Sequence, residues 1–268
     1  MIRFEILGDL RVRTSGGVHE INGTAKRLVL QALLVSEGNA VPHGALIEEI
    51  WGEGIPDGVA NALQAHISRI RRWLREISGN SSGTQLVSSP HGYQLVLGEA
   101  ELDASVFQET VGAATALRGE DPSKAALLRS ALSMWRGPPF GGSDGGPLSD
   151  ASAIRYDEVR LRAQEELFDT ELKLGRHAQV LSEIRQAQVE NPTREHFCAQ
   201  LMFALYRSGR QAEALGAYHA TRECLNEDLG IDPTPELRKL EQCILRQSPE
   251  LAPTEPELPL PLPLRAQR

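Results

Sequence analysis

Four arginines, Arg69, Arg71, Arg72 and Arg75, fall within the stretch ANALQAHISRIRRWLREI (60–77). A guanidinium is planar, permanently charged and forked, which suits it to phosphate oxygens. Leu63, Ile67, Ile70 and Leu74 recur at helical spacing in the same stretch, with Ile77 close beside them, so the segment reads as one amphipathic helix with a single apolar stripe. At 100° per residue, Asn61, Ala65, Ser68, Arg69 and Arg72 fall on the opposite side. Short or amide side chains come first along that face and guanidinium groups later. Such a surface lets a helix enter a DNA major groove and hold phosphates beside it. The competing reading is an arginine-rich solvated face on a packed helix. The neighbouring segments decide between them.

No other constellation points to chemistry. The histidines at 19, 43, 66, 91, 177, 196 and 219 form no HExxH or other ligand spacing, and no GxSxG occurs. The Gly/Pro-rich stretch GPPFGGSDGGPLSD (137–150) lacks the GK[ST] ending of a phosphate-binding loop and follows no strand, so it reads as a plain loop. Cys198, Cys224 and Cys243 lie far apart without CxxC spacing; each sits among apolar helical residues and is most simply a buried thiol. We therefore expect no enzyme, no cofactor and no metal.

At 268 residues, with 41% hydrophobic and 24% charged residues, the chain fits about two globular domains. No run approaches the ~18 apolar residues of a membrane span, and MIRFEILGDLRVR lacks the apolar core and cleavage site of a signal peptide. The expected location is cytoplasmic, at the nucleoid, with no membrane partner. The net charge of −8 is unevenly placed. Residues 1–98 hold nine Lys+Arg and nine Asp+Glu, whereas 99–268 hold 19 and 27. A neutral segment whose arginines gather on one helix can still bind phosphate locally; the acidic remainder suits a protein partner.

Around Gly8-Asp9, IRFEILG (2–8) and LRVRT (10–14) alternate apolar and polar residues, and with VHEI (18–21) they predict a small antiparallel sheet. TAKRLVLQALLVSEGN (24–39) predicts a helix capped by Thr24, packed through Leu28, Leu30, Ala32, Leu33, Leu34 and Val35, and stopped by Gly38-Asn39. VPHGALIEEIWG (41–52) predicts a short helix ended by Gly52. QLVSS (85–89) and YQLVL (93–97) flank Pro90-His91-Gly92 as a β-hairpin.

Strands, three helices and a hairpin make a winged helix-turn-helix. LQAHISRIRRWL followed by SSPHGYQL resembles the OmpR-type winged-helix DNA-binding domain. In that family the third helix enters the major groove and the hairpin wing reaches the adjoining minor groove. The resemblance implies that Asn61, Ala65 and Arg69 face bases or the groove and that Gln64 on the flank reaches a base. It also places His66, Ser68, Arg71 and Arg72 on the phosphate side, His91 in the wing, and Trp51, at the end of the second helix, against the DNA backbone. His66 and His91 read equally as surface histidines. Gly92-Tyr93 matches the wing Gly-Tyr, the glycine for a tight turn and the tyrosine packing under the helix with its hydroxyl wet. Trp73 flanks the apolar stripe and reads as core. Asn61, Ala65 and Ser68 are shorter donors than many members carry, so base reading is expected to be modest.

Residues 102–247 read as all-helical, with segments near 103–118, 122–135, 151–174, 177–190, 194–208, 211–227 and 235–247. LGRHAQVLSEI (174–184) aligns with SGRQAEALGAY (208–218) 34 residues on, Gly175, Arg176 and Ala178 matching Gly209, Arg210 and Ala212. A 34-residue period of helix pairs is the tetratricopeptide length; small residues let paired helices approach, and stacked pairs make a concave surface. Trp135 would anchor a helix end before Pro138-Pro139, and Asp232 before Pro233-Thr234-Pro235 would end one helix and start the next.

ALSMWRGPPFGG (131–142) and NEDLGIDPTPELRKLEQCILRQ (226–247) resemble the bacterial transcriptional activation domain. Winged helix followed by this domain is similar to the Streptomyces antibiotic regulatory protein (SARP) family, small type. The implied fold is mostly α with small β: a winged-helix DNA-binding domain over 1–98, an all-α tetratricopeptide-like activation domain over 99–247, and a Pro-rich flexible tail over 248–268. The implied function is transcriptional activation of a secondary-metabolite (antibiotic) gene cluster. Such a protein binds tandem direct repeats of double-stranded promoter DNA, pairs on the DNA as a dimer, and recruits RNA polymerase including its sigma factor. Two alternatives remain from the residues: a ligand-responsive helical sensor with DNA-binding output, and a helical-repeat adaptor that does not bind DNA.

Overall fold

Apolar residues alternating along RFEIL and RVRT have one face to bury, and the fold is built on it. The computed structural model describes residues 2–78, 83–117, 121–142 and 145–251. β1 (Arg3–Glu5), β2 (Arg11–Thr14) and β3 (Gly17–Glu20) form the expected antiparallel meander, with Phe4, Ile6, Leu7 and Val12 fully buried. A strand that the sequence reading did not contain, β7 (Glu101–Leu102), lies parallel on β1 with Phe4 opposite Leu102, giving the order β3-β2-β1-β7.

α1 (Thr24–Val35) carries the expected packing face, although Val35 is only half-buried and Val29 and Gln31 join the core. Thr24 is not its cap. It is the first helical residue, and Gly23 occupies the cap position with φ 94 and no side-chain bond. The helix also stops before Gly38-Asn39, at Ser36, whose hydroxyl donates to Leu33 O (2.7 Å). Val41–Pro42, read above as helix, is instead strand β4, and α2 spans His43–Trp51. α3 spans Val59–Ser78, followed by β5 (Gln85–Ser89) and β6 (Gly92–Val96). The hairpin expected over 85–97 is thus the outer part of a three-stranded sheet, β4-β6-β5.

Helices fill the rest: α4 (Asp103–Ala116), α5 (Pro122–Leu132), α6 (Pro147–Lys173), α7 (His177–Glu190), α8 (Glu195–Arg207), α9 (Gln211–Leu229) and α10 (Pro235–Leu245). α5 starts on Asp121, whose carboxylate accepts from Ser123 N (2.8 Å), with Pro122 in the first turn. Trp135 lies beyond the end of α5, its ring edge-on to Phe107 (5.5 Å) and under the Arg160 guanidinium (4.9 Å). α9 ends on Gly230 in the left-handed region, and α10 begins at Pro235 as expected. Thr234 before it donates through N and Oγ1 to Glu195 Oε2 (2.8 and 2.7 Å). Of the expected tail, 248–251 contains a 3₁₀ turn (Pro249–Leu251), and 252–268 lie outside the described residues, as do 143–144 of the Gly/Pro-rich stretch.

The chain divides into two compact units, Met1–Leu167 and Phe168–Arg268. Within the first, the N-terminal sheet is not closed by residues 1–98 alone. The Asp103 carboxylate accepts from Ile6 N (2.8 Å) and Leu7 N (3.2 Å), while Leu7 O and Ile6 O accept from Arg136 N and Phe140 N (both 2.9 Å). The buried backbone after β1 thus finds its partners beyond residue 98, as buried peptide groups must. Burial raises the Asp103 carboxyl above its ordinary range, against the backbone N–H groups of Ile6 and Leu7 and nearby Arg136.

In the second unit the 34-residue repeat is visible in the helix ends. Gly175 and Gly209 both have positive φ (75 and 72), and Arg176 N and Arg210 N reach back to Glu171 O and Leu205 O (2.9 Å each). These are matching Schellman-type closures. The packing role assigned to Ala178 and Ala212 is corrected, since both are exposed. The residues that pack at the 34-residue offset are Val180 with Ala214 and Ile184 with Tyr218, all buried. Cys198 is buried, with its thiol pushed up to about 11 by burial. Cys224 and Cys243 are half-exposed and are not the buried thiols expected.

Candidate nucleic-acid interface

α3 has the two faces its sequence prescribes. Leu63, Ile67, Ile70 and Leu74 are buried, and Asn61, Gln64, Ala65, Ser68, Arg69 and Arg72 are exposed. Arg69 and Arg72 make no hydrogen bond or ion pair with any described residue. Two cations one turn apart on one face, free of carboxylates, can take phosphate oxygens without first breaking a protein contact.

Arg71, one residue before Arg72, is placed differently. Its Nε donates to Leu86 O (2.8 Å) and one terminal nitrogen to Ser88 Oγ (2.9 Å), with the guanidinium 5.8 Å from the Tyr93 ring. Arg71 thus ties α3 to β5 as a brace. His66 is half-buried beside Trp51, the ring centres 6.1 Å apart, so both expected contacts sit together at the junction of α2 and α3. Burial, and then the Arg69 charge, hold the His66 imidazole below its ordinary 6.5. Both effects favour the neutral imidazole. Trp73 is half-buried, capped by the Lys26 ammonium 3.9 Å from its ring centre. It is a flank and not the core residue expected.

The wing is held from inside. His91 is exposed at the turn, and its carbonyl accepts from His43 N (3.0 Å). Tyr93 is buried, edge-on to the His43 ring at 5.0 Å. Gln94 Nε2 donates to Gly38 O (2.6 Å). Gly92 is needed for a reason other than the tight turn expected. Its φ is not positive, and it pairs with Pro42 of β4, where a Cβ would lie 1.9 Å from Val41 O. Only hydrogen fits between the strands.

A residue the sequence reading passed over fixes α2. Glu49 is 2% exposed, and its carboxylate accepts from Gly146 N (3.3 Å), Leu148 N (2.8 Å), Ser149 N (3.1 Å) and Ser149 Oγ. An anion from the helix before the turn thereby caps the N-terminus of α6. The signal was present in ALIEEIW, where Glu49 falls three residues after buried Leu46, on the apolar side.

Among the described residues no cluster of His, Cys, Asp or Glu could hold a metal, and no helix is long and apolar enough to cross a membrane. A third helix with an apolar and a cationic face, set against a three-stranded wing and followed by tetratricopeptide-like helices, defines a bacterial transcriptional regulator with an OmpR-type winged helix. Residues 19–95 match the family described as transcriptional regulatory protein, C terminal, and residues 102–245 match the bacterial transcriptional activator domain. The regulatory protein AfsR of Streptomyces griseus is 37% identical over 94% of this chain, which spans 25% of that protein. The regulatory protein DnrI of Streptomyces peucetius is 31% identical over 96% of this chain and 97% of its own length. Among solved structures, Mycobacterium tuberculosis EmbR, in complex with a low-affinity phosphopeptide, superposes with a TM-score of 0.80 and 32% identity over 92% of this chain and 66% of EmbR. The chain belongs to the Streptomyces antibiotic regulatory protein family of transcriptional activators.

Proposed function

We propose that this regulator binds tandem direct repeats in the promoters of a secondary-metabolite gene cluster and activates their transcription by recruiting RNA polymerase. In this reading residues 1–98 read the DNA, and the protein acts in the cytoplasm at the nucleoid without catalysing a reaction. α3 enters the major groove with Asn61, Gln64, Ala65 and Ser68 toward base edges. Arg69 and Arg72 hold phosphates, His91 reaches the minor groove, and Trp51 and His66 meet the backbone at the entry of α3. Two copies lie side by side on the repeats, and residues 99–247, acidic on balance, touch polymerase and its sigma factor. Joining a DNA reader to a polymerase-binding surface raises local concentration by tethering. The observation that carries the reading is the unpaired Arg69/Arg72 face on a helix whose other face is buried.

Footprinting of the purified chain on candidate cluster promoters, followed by transcription with purified polymerase, tests it. Protection of paired sites at a helical repeat together with transcript gain supports the reading. Protection without transcript gain removes the activation role, and absence of protection removes the DNA role.

A groove of about 480 Å³ in the second unit, walled by Val189, Leu201, Leu205 and Ala217, favours the sensor reading as a second one. A cluster metabolite that raises the unfolding temperature by mass action would support it.

A further inference from the structure

A second cationic cluster lies away from α3, on the N-terminal sheet. Arg3, Arg11, Arg13 and Arg136 surround a cavity of about 370 Å³ together with two carboxylates, Glu5 and Asp103. Four guanidinium groups line the cavity against two carboxylates, with Glu101 opposite Arg3 and Glu20 opposite Arg11 on the neighbouring strands. Both lining carboxylates already have partners. Glu5 takes Arg11 on one oxygen and Arg13 Nε (2.9 Å) on the other, with Arg136 Nε at 3.8 Å. Asp103 accepts from Ile6 N and Leu7 N, and the nearest Arg136 nitrogen stays at 3.6 Å.

Among the described residues, no oxygen accepts from the Arg3 side chain. Its Nε is buried and has no partner, and its one hydrogen bond runs from a terminal nitrogen to Met134 Sδ (3.8 Å), a weak acceptor. A buried charged donor without an acceptor is costly, and native structures rarely keep one. Here the missing acceptor falls beside a cavity that is open to solvent, since Arg13 is half-exposed and Arg11 and Arg136 partly so.

We propose that this cavity binds a phosphate-bearing small molecule. A phosphate monoester carries about −1.5 to −2 charges at pH 7 and three acceptor oxygens, which suits a cluster of guanidinium groups with unfilled donors. A carboxylate supplies half that charge and two oxygens. At about 370 Å³ the cavity is also roomier than one phosphate group, which leaves space for the ester substituent. The ligand would bridge β1 and β2 to the segment after α5, and so close the first unit where its backbone partners cross residue 98.

Thermal unfolding of the full chain, followed by tryptophan fluorescence in buffer without phosphate, tests the proposal. Inorganic phosphate and glycerol 3-phosphate serve as probes, with sodium chloride at matched ionic strength as the reference. Calorimetric titration supplies the affinities. Both probes are expected to raise the unfolding temperature beyond the chloride reference. Arg3→Gln and, separately, Arg13→Gln are expected to weaken binding at least tenfold while keeping the wild-type circular dichroism. Arg69→Ala/Arg72→Ala is expected to bind the probes as wild type does. Tighter binding of glycerol 3-phosphate than of phosphate identifies an organic ester as the source, and equal binding identifies free phosphate. Should Arg3→Gln fail to fold, Arg13→Gln, whose side chain is half-exposed, decides. The proposal is overturned if phosphate stabilises no more than chloride, if a folded variant at position 3 or 13 binds as tightly as wild type, or if binding is lost in the Arg69/Arg72 variant.

Discussion

Replacing Glu49 with alanine removes the acceptor of three backbone N–H groups and one hydroxyl at the start of α6. Each buried donor left unsatisfied costs about 1–3 kcal/mol, and loss of a helix cap by itself about 0.5–2 kcal/mol. The bonds from Gly146 N and Ser149 are buried, whereas that from Leu148 N is only part-buried and can be taken over by water entering the vacated space. The expected loss is about 3–4 kcal/mol, a large share of the ~5–15 kcal/mol that holds a domain folded. Glu49→Gln keeps one carbonyl oxygen but turns an amide N–H toward backbone donors, so its expected loss is smaller, about 2 kcal/mol. Gly146→Ala attacks the same contact from the other side, because its Cβ would lie 2.5 Å from Glu49 Cα and 2.6 Å from Glu49 O, neither of which can swing away. The two sites share one contact, so the double variant should lose less than the sum of the singles by about 1–2 kcal/mol. Urea unfolding monitored by tryptophan fluorescence isolates the relevant unit, since Trp51, Trp73 and Trp135 all precede residue 167. A Glu49→Ala loss below about 1 kcal/mol, or strict additivity with Gly146→Ala, would refute the assignment of Glu49 as the anchor of α6.

Gly92→Ala should push β4 off β6, break the His43–His91 backbone bond and lower promoter affinity at least tenfold; wild-type affinity in an electrophoretic shift would count against a wing held by this close approach. Arg71→Gln should destabilise the first unit by about 1–2 kcal/mol through loss of its bonds to Leu86 O and Ser88, whereas Arg72→Gln should leave stability within about 0.5 kcal/mol. Equal effects of the two in urea unfolding would contradict the difference drawn between them. His66 is held below 6.5 in the fold, so its neutral form is favoured there. Its contribution is present above pH 6.5 and is lost as pH falls through the folded value. NMR titration should find the His66 imidazole below 6.5 and moving upward in Arg69→Ala; no movement would remove the charge coupling.

The amphipathic stripe of α3 was legible because helix periodicity is local, and each of Leu63, Ile67, Ile70 and Leu74 is buried where the 100° step puts it. What sequence spacing could not separate is Arg71 from Arg72. They differ by one residue, and only the position of β5, set by tertiary packing, turns one into a brace and leaves the other free. Strand β7 escaped for a related reason: two residues carry no alternation, and their pairing with β1 depends on a contact nearly a hundred residues away. Gly92 was singled out correctly but for the wrong cause, since close strand approach and turn geometry both select glycine. Thr24 failed as a cap because helix ends are the least local part of a helix. In the repeat, Ala178 and Ala212 matched by identity and yet face solvent, while the packed pairs, Val180/Ala214 and Ile184/Tyr218, match in position and not in residue type.

The central claim is that Arg69 and Arg72 grip phosphates, and the salt dependence of promoter binding measures this directly. Each phosphate contact contributes about −0.9 to the slope of log K against log salt. The account predicts that Arg69→Ala/Arg72→Ala folds as wild type, binds weakly, and shows a slope shallower by about 1.8; an unchanged slope and affinity in the folded variant would contradict it.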